Sequence, residues 1–195
     1  MDGEVKGGLP VLAFGGLAEW EAWLEAHHAT APGVWLKLAK KGSDTSTITY
    51  DQALDGALCY GWIDGQKASY DERFWLQKFT PRGKRSVWSR VNRERALELM
   101  RQGRMRPAGL ARVEEARRDG RWEAAYEPPS TAAVPDDLRQ ALEEHPEAQA
   151  FFATLDSRNR YAILHRIATA GRPETRRRRI EQLVALLREG KKLYP

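Results

Sequence analysis

Cys59 is the one cysteine in 195 residues. That count excludes a disulfide framework and a cysteine-rich zinc module. No run approaches the roughly 18 consecutive apolar residues that cross a bilayer, so no transmembrane segment is expected. The opening MDGEVKGGLPVLAFGG lacks the basic start and long apolar core of an export signal, and the expected location is the cytoplasm. No GxGxxG and no GxSxG is present, and Pro81-Arg82-Gly83-Lys84 has only the outward look of a phosphate-binding loop. Histidine is scarce: His27, His28, His145 and His165. The first two are adjacent on an expected helix and so do not share a face, which argues against a metal pair. No metal and no cofactor is implied. There is no low-complexity block and no repeat of solenoid period.

What remains is a globular composition, 42% hydrophobic and 30% charged, with net charge +5. The charge is unevenly placed. Residues 80–106 carry nine basic and two acidic side chains, and residues 171–195 carry eight basic and three acidic. The rest of the chain is therefore acidic. Clustered cations attract phosphates, carboxylates or nucleic acid, and they also serve as solvated helix faces with intrahelical pairs.

Leu17, Trp20, Trp23, Leu24 and His27 keep helical spacing, predicting a helix over 17–28. Val34 to Lys40 has the β-branched and aromatic content of a strand. Thr49 and Gln52 fit a capping box at the head of a second helix, which Gly61 ends. Residues 62–67 and 74–79 alternate as antiparallel strands, and Val87-Trp88 reads as a short return strand. Asn92 is placed to cap a helix over 93–102, and Pro107 opens another to about 118. The expectation for residues 1–126 is thus an α+β domain, a small antiparallel sheet with flanking helices. Residues 127–134, with Pro128 and Pro129 in series, read as a linker. Residues 135–195 then read as an all-helical domain, with starts at Pro135, Pro146, Ser157 and Pro173.

Residues 58–92, LCYGWIDGQKASYDERFWLQKFTPRGKRSVWSRVN, are the densest in chemistry. Indoles and phenols interleaved with polar groups suit a ligand site, where flat walls supply area and a few polar atoms set orientation. Trp62 and Trp88 would form walls. Arg82 and Arg85 flank a glycine-containing turn and would bind charge; Asp64, Ser86 and Asn92 would orient the ligand. The plainer alternative is that the indoles are core and the cations snorkel. Cys59 near a helix end lacks the environment that lowers a thiol pKa, and reads as a buried inert residue. Asp64 and Asp71 would serve as an acid–base pair only if folding unites them, and Asp64 before Gly65 reads equally as a turn residue. With no triad and no metal set, binding is favoured over catalysis. Arg176 to Arg179 fan round one helix, so one or two should reach an acidic partner, expected on the acidic first domain, with nucleic acid or an anionic surface the other option.

The runs ALCYGWIDGQ, FTPRGKRSVWSRVN and GRMRPAGLARVEEARRDGRW strongly resemble the YdeI/OmpD-associated family, also labelled bacteriocin-protection proteins. The stretch from VPDDLRQALEEHPEAQ through ATAGRPETRRRRIEQLVALLREGK resembles its helical C-terminal domain, with Gly171 standing where the family tends to have Lys. The resemblance runs over nearly all of the chain past residue 10. By position, the family motif residues are Cys59, Gly61, Trp62, Asp64, Gly65, Pro81, Arg82, Ser86, Trp88, Ser89 and Asn92. The resemblance implies a stress protein or one that resists bacteriocins or cationic antimicrobial peptides. Joined to the residue pattern, it suggests a small anionic ligand, with nucleic acid held by the two basic segments as the rival partner.

Overall fold

The computed structural model describes residues 4–128 and 131–195. Gly7 and Gly8 take φ of 57° and 77°, the two left-handed positions that a two-residue hairpin turn requires. They join β1 (Val5–Lys6) to β2 (Leu9–Leu12), antiparallel, with Lys6 opposite Leu9. Helix α1 (Leu17–His27) then crosses to β3 (Val34–Ala39), which runs parallel to β2. Helix α2 (Tyr50–Cys59) leads into the hairpin of β4 (Trp62–Ser69) and β5 (Phe74–Pro81). Strand order is β1-β2-β3-β5-β4.

The α+β class agrees with expectation. The sheet does not: it is mixed, with five strands, rather than antiparallel. The difference comes from Leu9–Leu12, which the residue pattern leaves outside any strand. A helix between two neighbouring strands returns the chain to its starting end, so β2 and β3 must be parallel.

The helix-facing side of the sheet carries Val34, Leu36 and Phe79, all fully buried. Phe79 meets Trp20 of α1 at 5.8 Å between ring centroids. The Trp20 indole also donates to the Ala53 carbonyl of α2 at 3.0 Å, so the large apolar side chain keeps its one donor satisfied. The capping box is present as expected, with Thr49 and Gln52 exchanging bonds at the head of α2. The opposite side of the sheet has a smaller cluster, Leu9, Val11, Trp35 and Leu76.

Helices α3 (Arg90–Arg101) and α4 (Pro107–Arg118) follow. Two expectations need correction here. Residues 87–88 form no strand, and the chain from 82 to 88 is loop and turn. Helix α3 begins at Arg90, so Asn92 lies in its first turn rather than capping it.

Two backbones touch where α4 begins. A Cβ on Gly109 would stand 2.3 Å from the Cys59 carbonyl oxygen. One on Gly61, whose φ is 74°, would stand 2.8 Å from the Ala108 carbonyl oxygen. The Arg106 N–H donates to the Cys59 carbonyl at 3.0 Å, closing the same junction.

Helices α5 (Asp136–Glu143), α6 (Pro146–Ala153), α7 (Ser157–Ala168) and α8 (Pro173–Arg188) make a second compact unit. The division assigns Met1–Trp88 and Asn92–Ala124 to the first unit, and Ser89–Val91 and Ala125–Pro195 to the second. The expected linker includes Pro129 and Ser130, which lie outside the described residues. The core of the helical unit is the stripe Ile180, Leu183, Val184 and Leu187 of α8 against Leu138, Phe152, Ile163 and Ile167. Asp156, not Ser157, caps α7, accepting from the Asn159 N–H at 2.7 Å. The Asn159 side chain, 1% exposed, also exchanges two bonds with the backbone of Tyr194 and so pins the chain end. No helix among the described residues is long and apolar enough to cross a membrane.

The Gly109 contact yields a test. Gly109→Ala should lower stability by about 2–3 kcal/mol, because the methyl group meets backbone that cannot rotate away. Urea denaturation of the two proteins measures it; an unchanged midpoint would contradict the close approach.

Candidate functional site

Two groupings stand out among the residues singled out above. Gly61 sets the first. Its carbonyl accepts the Arg82 N–H at 2.9 Å, so the end of β5 is tied to the start of β4. The chain then turns, with the Ser86 N–H donating to the Gly83 carbonyl at 3.0 Å. The Arg82 side chain follows the turn inward. One guanidinium nitrogen donates to the Val87 carbonyl at 3.0 Å, and the guanidinium lies 3.7 Å from the Trp88 ring centroid. Both residues are 2% exposed. Burying a guanidinium is costly, and stacking on an indole face with carbonyl hydrogen bonds offsets part of that cost.

Further arginines hold this wall. Trp88 packs edge-on against Trp122 at 4.8 Å. Arg117 stands over the Trp122 ring at 5.3 Å, Arg93 donates to the Trp122 carbonyl at 3.2 Å, and Arg121 donates to the Ser86 carbonyl at 2.9 Å. Sequence reasoning missed Arg93, Arg117, Arg121 and Trp122. The signal for the last three was the run RRDGRW at 117–122, which repeats the indole-and-guanidinium mixture of 82–88. The Trp88 indole N–H is buried with no hydrogen-bond partner among the described residues. Lys84 and Arg85 are exposed at the turn.

Trp62 and Asp64 form the second group, on the helix-facing side of β4. Trp62 is buried edge-to-face against Trp23 at 5.8 Å, and its N–H donates to the His28 carbonyl. Asp64 accepts from the Tyr50 hydroxyl at 2.8 Å. Burial and that carboxylate together push the Tyr50 phenol well above its ordinary range. Asp71 is used separately: its carboxylate accepts the N–H groups of Arg73 and Phe74 in the β4–β5 turn. Burial is the largest single influence on it and acts upward, but the two N–H bonds with the Arg73 and Lys37 charges together hold it below the usual carboxylate range. Asn92 is half-buried in the first turn of α3.

The basic segments are neutralised in part where they sit. In the first, Arg95 pairs with Asp51 and Asp55, Arg104 with Glu21, and Arg101 with Glu98. In the second, Arg176 grips Asp137 through two nitrogens at 2.6 and 2.9 Å and gives a third bond to the Ile167 carbonyl. Arg179 donates to the Arg166 carbonyl, while Arg177 and Arg178 are exposed. The acidic partner of the four-arginine run is therefore Asp137 inside the helical unit, which corrects the expectation of a partner on the first domain.

Groups with reactive potential are quiet. Cys59 is 1% exposed, and burial pushes its thiol up to about 11. His27 packs its ring on Trp23, and a ring nitrogen of His28 bonds the Leu24 carbonyl. Among the described residues no group of three or more His, Cys, Asp or Glu is placed to hold a metal.

Two family models match the chain. A domain of unknown function, DUF8412, matches residues 12–112, more than half of the sequence. The chain belongs to the DUF8412 family. The model for OmdA, described as bacteriocin-protection, YdeI or OmpD-associated, matches residues 131–190. The YdeI/OmpD-associated resemblance thus stands for the helical unit, while the motif runs between 58 and 92 fall within the DUF8412 match. No curated protein and no solved structure matches the chain.

Two measurements check the electrostatics. Cys59 should stay inert to a thiol reagent at neutral pH and react stoichiometrically once urea unfolds the chain; fast labelling of the native protein would contradict its environment. Arg176 holds the Asp137 carboxyl below its usual range, more than burial raises it. A depressed carboxylate pKa adds stability above the unfolded value and loses it as pH falls. Arg176→Gln should therefore destabilise the helical unit at neutral pH. The gap from the parent should narrow below about pH 4, leaving only the lost bond to Ile167. Thermal melts across pH read that convergence.

Proposed function

We propose that this protein binds a small anionic ligand, a carboxylate or phosphate, at the Pro81–Trp88 loop, and that it does so as a stress or bacteriocin-resistance protein. The observation that carries the binding reading is the Trp88 indole N–H. A buried donor without an acceptor costs on the order of 1–3 kcal/mol, and here it belongs to a ring stacked on the Arg82 guanidinium. An anionic oxygen would satisfy the donor and gain from the adjacent cation. Lys84 and Arg85, exposed on the turn, would draw the ligand in. The turn is held by hydrogen bonds that an incoming anion could exchange: the Ser86–Gly83 bond, the Arg121 contact to Ser86 and the Arg82 bond to the Val87 carbonyl. Its opening would admit the ligand to Trp88. In this reading Trp62 and Asp64 support the neighbouring strand, and Ser86 is the nearest of the orienting groups.

The resistance role is supported by the OmdA match over residues 131–190. Nucleic acid, the rival partner, has less support. It would draw on cations such as Arg95, Arg101 and Arg104, whose charge is already balanced by carboxylates.

Indole N–H resonances test the site, since the chain has seven tryptophans and Trp88→Phe identifies one of them. Adding phosphate or acetate at constant ionic strength should move the Trp88 resonance downfield. Lys84→Ala with Arg85→Ala should weaken the response several-fold. A Trp88 signal that ignores both anions rejects the site. For the biological role, a sensitive bacterial host expressing the protein should survive bacteriocin better than one expressing Trp88→Phe.

A further inference from the structure

The helical unit has a pocket of its own, away from any residue assigned above a binding role. It encloses about 110 Å³ and is walled by the rings of Tyr126, Tyr161 and His165 together with Leu164 and Ala168. The volume is of the same order as the roughly 150 Å³ cavity that accepts benzene in an engineered protein core.

The rings are arranged as a cradle. Tyr126 meets His165 edge-on at 4.6 Å and 86°, and Tyr161 lies 5.7 Å from the same imidazole. The Tyr161 hydroxyl donates to the Glu127 carbonyl at 3.2 Å, which fixes its ring. Two charged residues reach the wall, and each is already balanced within the unit. Arg176 is held by Asp137. Glu127 pairs with Arg90 at 2.5 Å and accepts from the Thr131 hydroxyl. An incoming charge would find no free counter-ion there and would lose its hydration. One polar group on the wall keeps capacity. No hydrogen bond to an imidazole nitrogen of His165 is present among the described residues. Burial, with the Arg179 charge second, lowers its pKa, so at neutral pH the ring is uncharged, offering one donor and one acceptor.

We propose that this pocket binds a small neutral aromatic molecule of phenol type, its ring among Tyr126, Tyr161 and His165 and its hydroxyl hydrogen-bonded to the His165 imidazole. Aromatic walls favour a flat ring through edge-to-face packing. The single polar contact sets its direction, as in small-molecule sites generally. The site does not depend on the loop at Trp88, and either can fail without the other.

Phenol itself is the probe, added to the full chain, with benzoate and toluene as comparators. Phenol should perturb the ring resonances of Tyr126, Tyr161 and His165 and raise the melting temperature of the helical unit. Benzoate should bind at least tenfold more weakly, because its carboxylate has no partner in the pocket. His165→Phe should weaken phenol roughly three- to tenfold while leaving toluene unchanged. Retained toluene binding shows that the variant keeps its pocket. Ala133→Phe, another lining position, adds a ring that would fill the pocket and should abolish binding of both. The proposal is overturned if phenol perturbs only residues elsewhere, if benzoate matches phenol, or if His165→Phe weakens toluene as much as phenol.

Discussion

Two peptide backbones can lie in direct contact only where a side chain is missing, and the α+β unit is organised around one such place. Gly109 at the start of α4 rests on the carbonyl groups that end α2, and Gly61 faces the Ala108 carbonyl from the other side. The contact turns the chain out of α2 and starts β4 in a left-handed conformation closed to other residues at little cost. Gly61 then receives the Arg82 N–H, so the junction that positions α4 also fixes where β5 releases the basic loop. The loop, its buried guanidinium and Trp88 all inherit their place from this packing.

The arginines of this protein perform different tasks despite their similar appearance in the sequence. Arg82 is a buried post under a loop. Arg95 and Arg176 neutralise carboxylates across elements. Arg117 covers an indole face. Lys84, Arg85, Arg177 and Arg178 stay exposed. A planar guanidinium can stack, fork and donate at once, so it serves in the interior as well as at the surface. Net charge is therefore a poor guide to binding here; the useful quantity is the charge left after internal pairing.

The two units match different family models, and their candidate sites are chemically unlike. The Trp88 loop offers donors and positive charge. The Tyr126–Tyr161–His165 pocket offers neutral aromatic walls. A ligand suited to one is poorly suited to the other, because desolvating an anion costs far more in a neutral apolar pocket than beside cations.

Local chemistry made much of the architecture legible. Apolar spacing marked α1, the Thr49–Gln52 capping box marked α2, and prolines at Pro107, Pro146 and Pro173 marked helix starts, because each acts within a turn of its own position. Cys59 read as inert from its place at a helix end, and burial agrees. Strand β2 was hidden because four residues including Pro10 carry little pattern, and with it went the parallel pairing. The pairing of Arg82 with Trp88, the arrival of Trp122 and Arg121 beside them, and the separation of Trp62 and Asp64 toward the helices were decided only in three dimensions. Residue spacing determines which side chains share an element and a face. Which elements meet is set by packing between segments far apart in the chain, and that depends on contacts such as Gly61 with Ala108 that no local pattern encodes.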